Sequence, residues 1–222
     1  MLTELFPNID TQELWIATYE TFYMTVLALI GTLVLGIALG LMLYLTDRGG
    51  IWQNKTFNVI VAAIVNVSRA IPFIILILLL FPFTDFLIGT VRGPNAALPA
   101  LIIGSAPFYG RLVEIALKEV DKGVIEAAKS MGAKSLTIIF RVLLPESMPA
   151  LVSGLTVTAI ALISYTAMAG VIGAGGLGSY AYFFGFQRQE FDVVLICTIL
   201  IVIIVFIFQF IGDFISKKLD KR

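Results

Sequence analysis

The sequence predicts an all-α, polytopic membrane protein with five transmembrane helices in a single domain, 1–222. Two observations carry that expectation. Hydrophobic residues make up 59% of the chain and charged residues 14%, whereas a soluble domain carries about a quarter charged residues, so lipid must solvate much of the surface. The apolar residues also gather into uncharged runs close to or beyond the roughly 20 residues that cross a bilayer.

The runs give the elements in order. Thr21 to Thr46 is uncharged and forms the first span, about 19–46. Ahead of it, Asp10 with Glu13 reads as a capping box that opens an outer interfacial turn. The leading MLTELFPNIDTQELW lacks the basic and short apolar regions of a cleaved signal, so the first span is expected to be retained. Between Lys55 and Asp85 the only charge is Arg69, which gives a second span, about 57–84. At membrane depth Arg69 must snorkel, pair or line water. The plainer alternative puts residues 57–68 near the inner interface, with the span starting later. Gly93 to Gly110, interrupted by Pro94, Pro99 and Pro107, opens the third span, about 94–117. Ser147 to Gln187 is too long for one crossing and breaks at the glycines from Gly173 to Gly178, leaving a fourth span, about 148–172. Val193 to Gly212 centres the fifth, about 192–215.

An odd number of spans puts the termini on opposite sides. With the C-terminal tail inside, the inner segments hold Arg48, Lys55, Arg111, Lys118, Lys122, Lys129, Lys134, Arg141, Lys217, Lys218, Lys221 and Arg222. The outer segments hold only Arg92 and Arg188. This positive-inside bias predicts the N-terminus outside and the C-terminus in the cytoplasm. Trp15, Tyr19 and Tyr23 then fall in an outer aromatic belt.

The one long hydrophilic stretch is an inner loop, about 118–147. Asp121 is suited to cap a short helix that ends at Gly132, and Ser135 a second that Pro145 stops. Ser147 would then cap the fourth span, with Pro149 in its first turn. Ala127 and Ala128 make a narrow side that can lie close to another protein, while Val124, Ile125 and Met131 offer apolar contact. Lys122, Glu126 and Lys129 are spaced for helical pairing, so they stabilise the helix or reach a partner. A loop packed only on its own bundle has the same pattern, and the residues alone leave both open.

Several chemistries are excluded. With no histidine and one cysteine, Cys197, the chain offers no ordinary metal site or internal disulfide. It has no phosphate-binding G-x-x-x-x-G-K-[ST]; Gly132-Ala133-Lys134-Ser135 is a superficial echo. Energy must therefore come from a partner or an ion gradient, and no Asp or Glu stands mid-span to couple an ion. Gly173 to Gly178 matches G-x-G-x-x-G but follows a membrane helix, so it reads as a tight outer turn, not a dinucleotide site. No catalytic cluster is present, and neither a cofactor nor nucleic acid is expected on this chain.

Small and polar residues concentrate in spans two to four: Asn66, Ser68, Ser105, Thr156, Thr158, Ser164, Tyr165 and Thr166. Singly each is a packing residue; as a group around Ser164 to Gly170 they suggest a pathway. Met168 among Ala167, Ala169 and Gly170 is the candidate gate, a flexible apolar plug on a helix free to move. Five helices enclose a solute poorly, so a homodimer is expected to close the path on a two-fold axis. Gly36 and Gly40 form G-x-x-x-G, fit either for that contact or for packing within one subunit.

Glu126-Ala127-Ala128, three residues, Gly132, nine residues, then Val142-Leu143-Leu144-Pro145 resembles the EAA loop of binding-protein-dependent type I ABC importer permeases. Val142 stands where isoleucine is commoner. Ser68-Arg69-Ala70-Ile71-Pro72-Phe73, Gly104-Ser105-Ala106-Pro107-Phe108 and Val171 to Gly178 look like methionine importer permeases, and the similarity runs from about Tyr19 to Asp213. The resemblance implies a type I importer fold in the bacterial cytoplasmic membrane, moving methionine or a related amino acid by alternating access. It implies docking of Val124, Ile125, Glu126, Ala127, Ala128, Met131, Gly132, Leu144 and Pro145 on a separate ATPase, and a gate at Met168 with Ser164, Tyr165, Thr166, Ser105 and Asn66 along the path. It also implies two ATPase subunits that bind the ATP and Mg, a second copy of the chain, and an extracytoplasmic binding protein. The alternatives are the same machine for another small solute, or a membrane anchor or sensor.

Overall fold

The computed structural model describes residues 9–220, so Lys221 and Arg222 of the basic tally lie outside it. Helix α1 (Thr11–Thr46) is the longest single helix, about 54 Å at 1.5 Å per residue, against a hydrocarbon core of about 30 Å. Asp10 starts it by accepting from the N–H groups of Gln12 (2.8 Å) and Glu13 (3.3 Å). The other half of the expected capping box is replaced: the Asp10 N–H donates to the Tyr180 hydroxyl at 3.2 Å.

The main packing is α1 against α5 (Pro94–Lys118). Along α1 the buried residues Ala17, Thr21, Thr25, Ala28, Thr32, Gly36 and Gly40 recur every three to four positions, making a stripe of small side chains. Lipid tails are as apolar as leucine, so close backbone packing and hydrogen bonds join membrane helices where hydrophobicity cannot. Tyr109 and Val113 fill the grooves over Gly36 and Gly40, and the Thr32 hydroxyl donates to the Ser105 Oγ, which donates on to the Leu101 carbonyl. The G-x-x-x-G pair is thus used inside the subunit.

The second stretch is a broken rod. Helix α2 (Lys55–Ala70) and α3 (Phe73–Leu79) meet at 107°, and α4 (Phe81–Ile88) follows. Pro72 is the cause: the residue before proline is driven to extended backbone, and Ile71 sits at φ −78°, ψ 123°. Among the described residues four helical stretches are long and apolar enough to cross a membrane, and counting the bent pair as one gives the fifth.

The fourth stretch departs from expectation at its start. Pro145 stops nothing and Ser147 caps nothing. Helix α7 (Ser135–Ile138) runs through a π-helical turn (Ile139–Leu143) into α8 (Leu144–Ala169) without a break. Proline removes an N–H and crowds the preceding turn; here that turn is widened, with the Leu144 N–H donating to Ile139 O. The Ser147 hydroxyl satisfies the Leu143 carbonyl at 2.8 Å. Lys134 is the residue at the N-cap and Ser135 is already helical.

Past α8 the chain turns at Gly173 to Gly176, where Gly173, Gly175 and Gly176 all have positive φ. Glu20 accepts the Gly176 N–H at 2.7 Å and Thr21 the Leu177 N–H at 2.8 Å, tying the turn to α1. The chain beyond it is helical: α9 (Gly176–Tyr180) and a wide turn (Ala181–Phe186) lead to α10 (Phe191–Leu219), which packs on α8 with Gly212 seated against Thr156.

A Cβ at residue 40 would lie 2.7 Å from the Gly110 carbonyl oxygen, so the α1–α5 pair would have to separate. Gly40→Ala is expected to destabilise the protein by about 1–3 kcal/mol, seen as a lower unfolding temperature in detergent.

Candidate functional site

At the end of the bundle that carries most of the basic residues, α5 connects to α7 through α6 (Lys122–Ser130). Asp121 caps α6, accepting from the Gly123 N–H at 2.7 Å. Its C-terminus is closed by a full Schellman motif: Gly132 N–H donates to Lys129 O (2.9 Å) and Ala133 N–H to Ala128 O (3.1 Å). That motif needs a left-handed residue at its bend, and Gly132 has φ +76°. The local sequence therefore fixes a helix hairpin, as expected.

The hairpin sorts the coupling candidates into two sets. Ile125 and Ala128, three apart, point into the bundle and pack with Leu117, Val120, Ile138 and Leu143. Val124, Ala127 and Met131 lie along the flank of that buried face and are exposed, Met131 to 81%. Glu126, Gly132 and Pro145 are also exposed, while Leu144 is half-buried against the same cluster. Ile125 and Ala128 therefore hold the hairpin on its own bundle, and the surface left for another protein is Val124, Ala127 and Met131, extended by exposed Leu136 and Phe140. Among the described residues Glu126 makes no salt bridge to Lys122 or Lys129, so of the two alternatives the pairing within the helix is not formed.

A charged network that run-counting passes over underlies the hairpin. The Glu114 carboxylate, its side chain 5% exposed, accepts from Arg111 (2.5 Å) and Lys118 (2.7 Å). Lys118 also reaches Asp47 at 2.9 Å, linking the end of α5 to the end of α1. The Lys118 ammonium, aided by the Arg48 N–H, holds the Asp47 carboxyl below the usual carboxylate range. A cleft of about 570 Å³ opens above this network, lined on one side by Asp47 to Ile51 and on the other by Lys122, Glu126 and Lys129.

The pathway candidates separate similarly. Ser164 and Met168 are exposed and, with exposed Val157 and half-buried Ala161, form one open stripe along α8. Tyr165 stands on its flank, half-buried and stacked on Phe73 with ring centroids 4.4 Å apart. Asn66 is exposed on α2. Ser105 and Thr166 are buried, each hydroxyl bonded to a carbonyl of its own helix, and serve packing. Arg69, at the α2–α3 break, lies with its guanidinium carbon 5.9 Å from the centroid of the Phe108 ring. Phe108 lies on α5 three residues before Arg111, the first charge at the basic end of that helix. Among the described residues no group of three or more Cys, Asp or Glu is placed to hold a metal ion.

Residues 32–222 match the family model described as the binding-protein-dependent transport system inner membrane component. The chain is 64% identical over 222 residues to the methionine import system permease protein MetP of Bacillus subtilis (strain 168), covering both in full. It is 42% identical over 216 residues to a probable D-methionine transport system permease protein MetI of Pasteurella multocida, covering 96% of this chain and 100% of that one. A solved chain of the inward-facing MetNI methionine ABC transporter superposes with a TM-score of 0.93 at 40% identity, covering 96% of this chain and 100% of that one.

Two outcomes follow from this geometry. Replacing Gly132 by alanine forces an L-residue into the left-handed bend at about 1–2 kcal/mol, and Asn, which tolerates that region, should cost less; amide exchange of α6 reads the difference. Because the Asp47 pKa is lowered, its contact with Lys118 is complete above the ordinary carboxylate value and is lost as pH falls through the lowered one. Asp47→Asn should therefore lower the unfolding temperature in detergent at about pH 7, and the difference from the unsubstituted protein should shrink as pH falls below the ordinary carboxylate value of about 3.9.

Proposed function

This chain belongs to the family of binding-protein-dependent transport system inner membrane components, and we propose that it is the permease subunit of an ATP-driven importer for methionine or a closely related amino acid. It is a multi-pass protein of the bacterial cytoplasmic membrane. The observation that carries the reading is the hairpin: a capped helix with an exposed apolar face, Val124, Ala127 and Met131, joined through one continuous rod to the open stripe at Ser164 and Met168. Such an element accepts force at one end and delivers it at the other.

The positive-inside bias puts the basic end in the cytoplasm. There each hairpin docks on one of two ATPase subunits, which hold the ATP and Mg; this chain does no covalent chemistry. Two copies of the chain face each other across their open stripes and enclose the path. ATP binding draws the ATPase subunits together, the hairpins follow, and the α8 rods tilt until the path opens outward. An extracytoplasmic binding protein releases the amino acid at the glycine-turn end, and hydrolysis resets the machine. Met168, flexible and exposed on the stripe, closes the path between cycles.

Vesicles holding the permease, its ATPase and the binding protein test this. ATP-dependent uptake of labelled methionine is expected, and Ala127→Arg, which plants a long charge on the docking face, should cut it by about tenfold or more. Unchanged uptake in that variant would remove the docking reading. Uptake of another amino acid in place of methionine would keep the machine and change the cargo.

A further inference from the structure

We propose that Arg69 receives the α-carboxylate of the amino acid in transit. The inference rests on the importer reading above and adds a binding position to it.

A guanidinium stays charged at any working pH, and within a membrane it must pair, snorkel or line water. The cations near the end of α5 have partners: Arg111 and Lys118 share Glu114, and Lys118 also holds Asp47. Among the described residues no carboxylate pairs with Arg69. Its position is built. The α2–α3 break leaves it beside a cavity of about 120 Å³, walled by Phe73, Leu76 and Phe108 and edged by Ser68 and Tyr165. Phe73 stacks on Tyr165 and Phe108 lies under the guanidinium, so the fork is aimed by aromatic surfaces while its donors stay free.

The shape selects the ligand. The cavity admits a carboxylate and the carbon that bears it, and a side chain as long as that of methionine would extend outward from it. It would extend along the stripe of Ser164 and Met168, which Tyr165 flanks. A lipid phosphate offers the same charge, and the lipid arm of the test separates that source from the cargo carboxylate.

The test uses the assembled transporter in vesicles with its binding protein, in a Cys197→Ala background, with assembly checked by co-elution of the ATPase. Wild-type uptake of labelled methionine tests the importer reading by itself; if another amino acid is carried, that cargo is used. Arg69→Gln should lower uptake by about tenfold or more, with Arg69→Lys intermediate. Arg69→Cys should be as slow as Arg69→Gln, and a cationic thiol reagent should restore it while an anionic one does not. Full uptake by Arg69→Gln, or equal effects of the two reagents, would overturn the proposal. So would a wild-type rate that depends on anionic lipid when the Arg69→Gln rate does not, since that assigns the charge to a headgroup.

Discussion

In hydrocarbon every backbone N–H and C=O must find its partner within the protein. That rule decides how this chain treats its prolines, and through them how its surface hairpin is attached. A stop at Pro145 would leave helix ends exposed where the chain enters the bundle. The wide turn from Ile139 to Leu143 absorbs the proline instead, and Ser147 takes up the Leu143 carbonyl. The result is one helical path from Ser135 to Ala169. A hairpin fixed to such a rod cannot move alone.

The remaining contacts reinforce that attachment at both ends. At the basic end Ile125 and Ala128 bury the inner side of α6, and the Glu114 network ties α5 to the tail of α1. At the other end Glu20 and Thr21 hold the glycine turn against α1. Helix α1 thus braces both ends of the moving part. Where the chain does break, at Pro72, the break stands beside the open stripe and brings Arg69 to it.

Local chemistry makes much of this legible before any coordinates. Asp121 and Gly132 are readable because a cap and a left-handed bend depend on residues within one turn. The proposed docking residues are readable as a group, but which of them face inward depends on Leu117 and Ile138, on neighbouring helices. Counting uncharged runs passes over Glu114, because it ends a span at its first charge. The signal is nonetheless present in the spacing of Arg111, Glu114 and Lys118, which places a carboxylate between two cations on one helical face. The wide turn before Pro145 has no comparable signature, since only the continuing helix beyond it shows that the proline is tolerated.

The central claim is that hairpin and rod move as one body. Spin labels at Ala127 and Val157 of one protomer, and at Ala127 in both protomers, would measure it in the complete transporter. On ATP trapping the distance within a protomer should stay fixed while that between protomers shortens. A changing distance within the protomer, with the distance between protomers constant, would contradict the account.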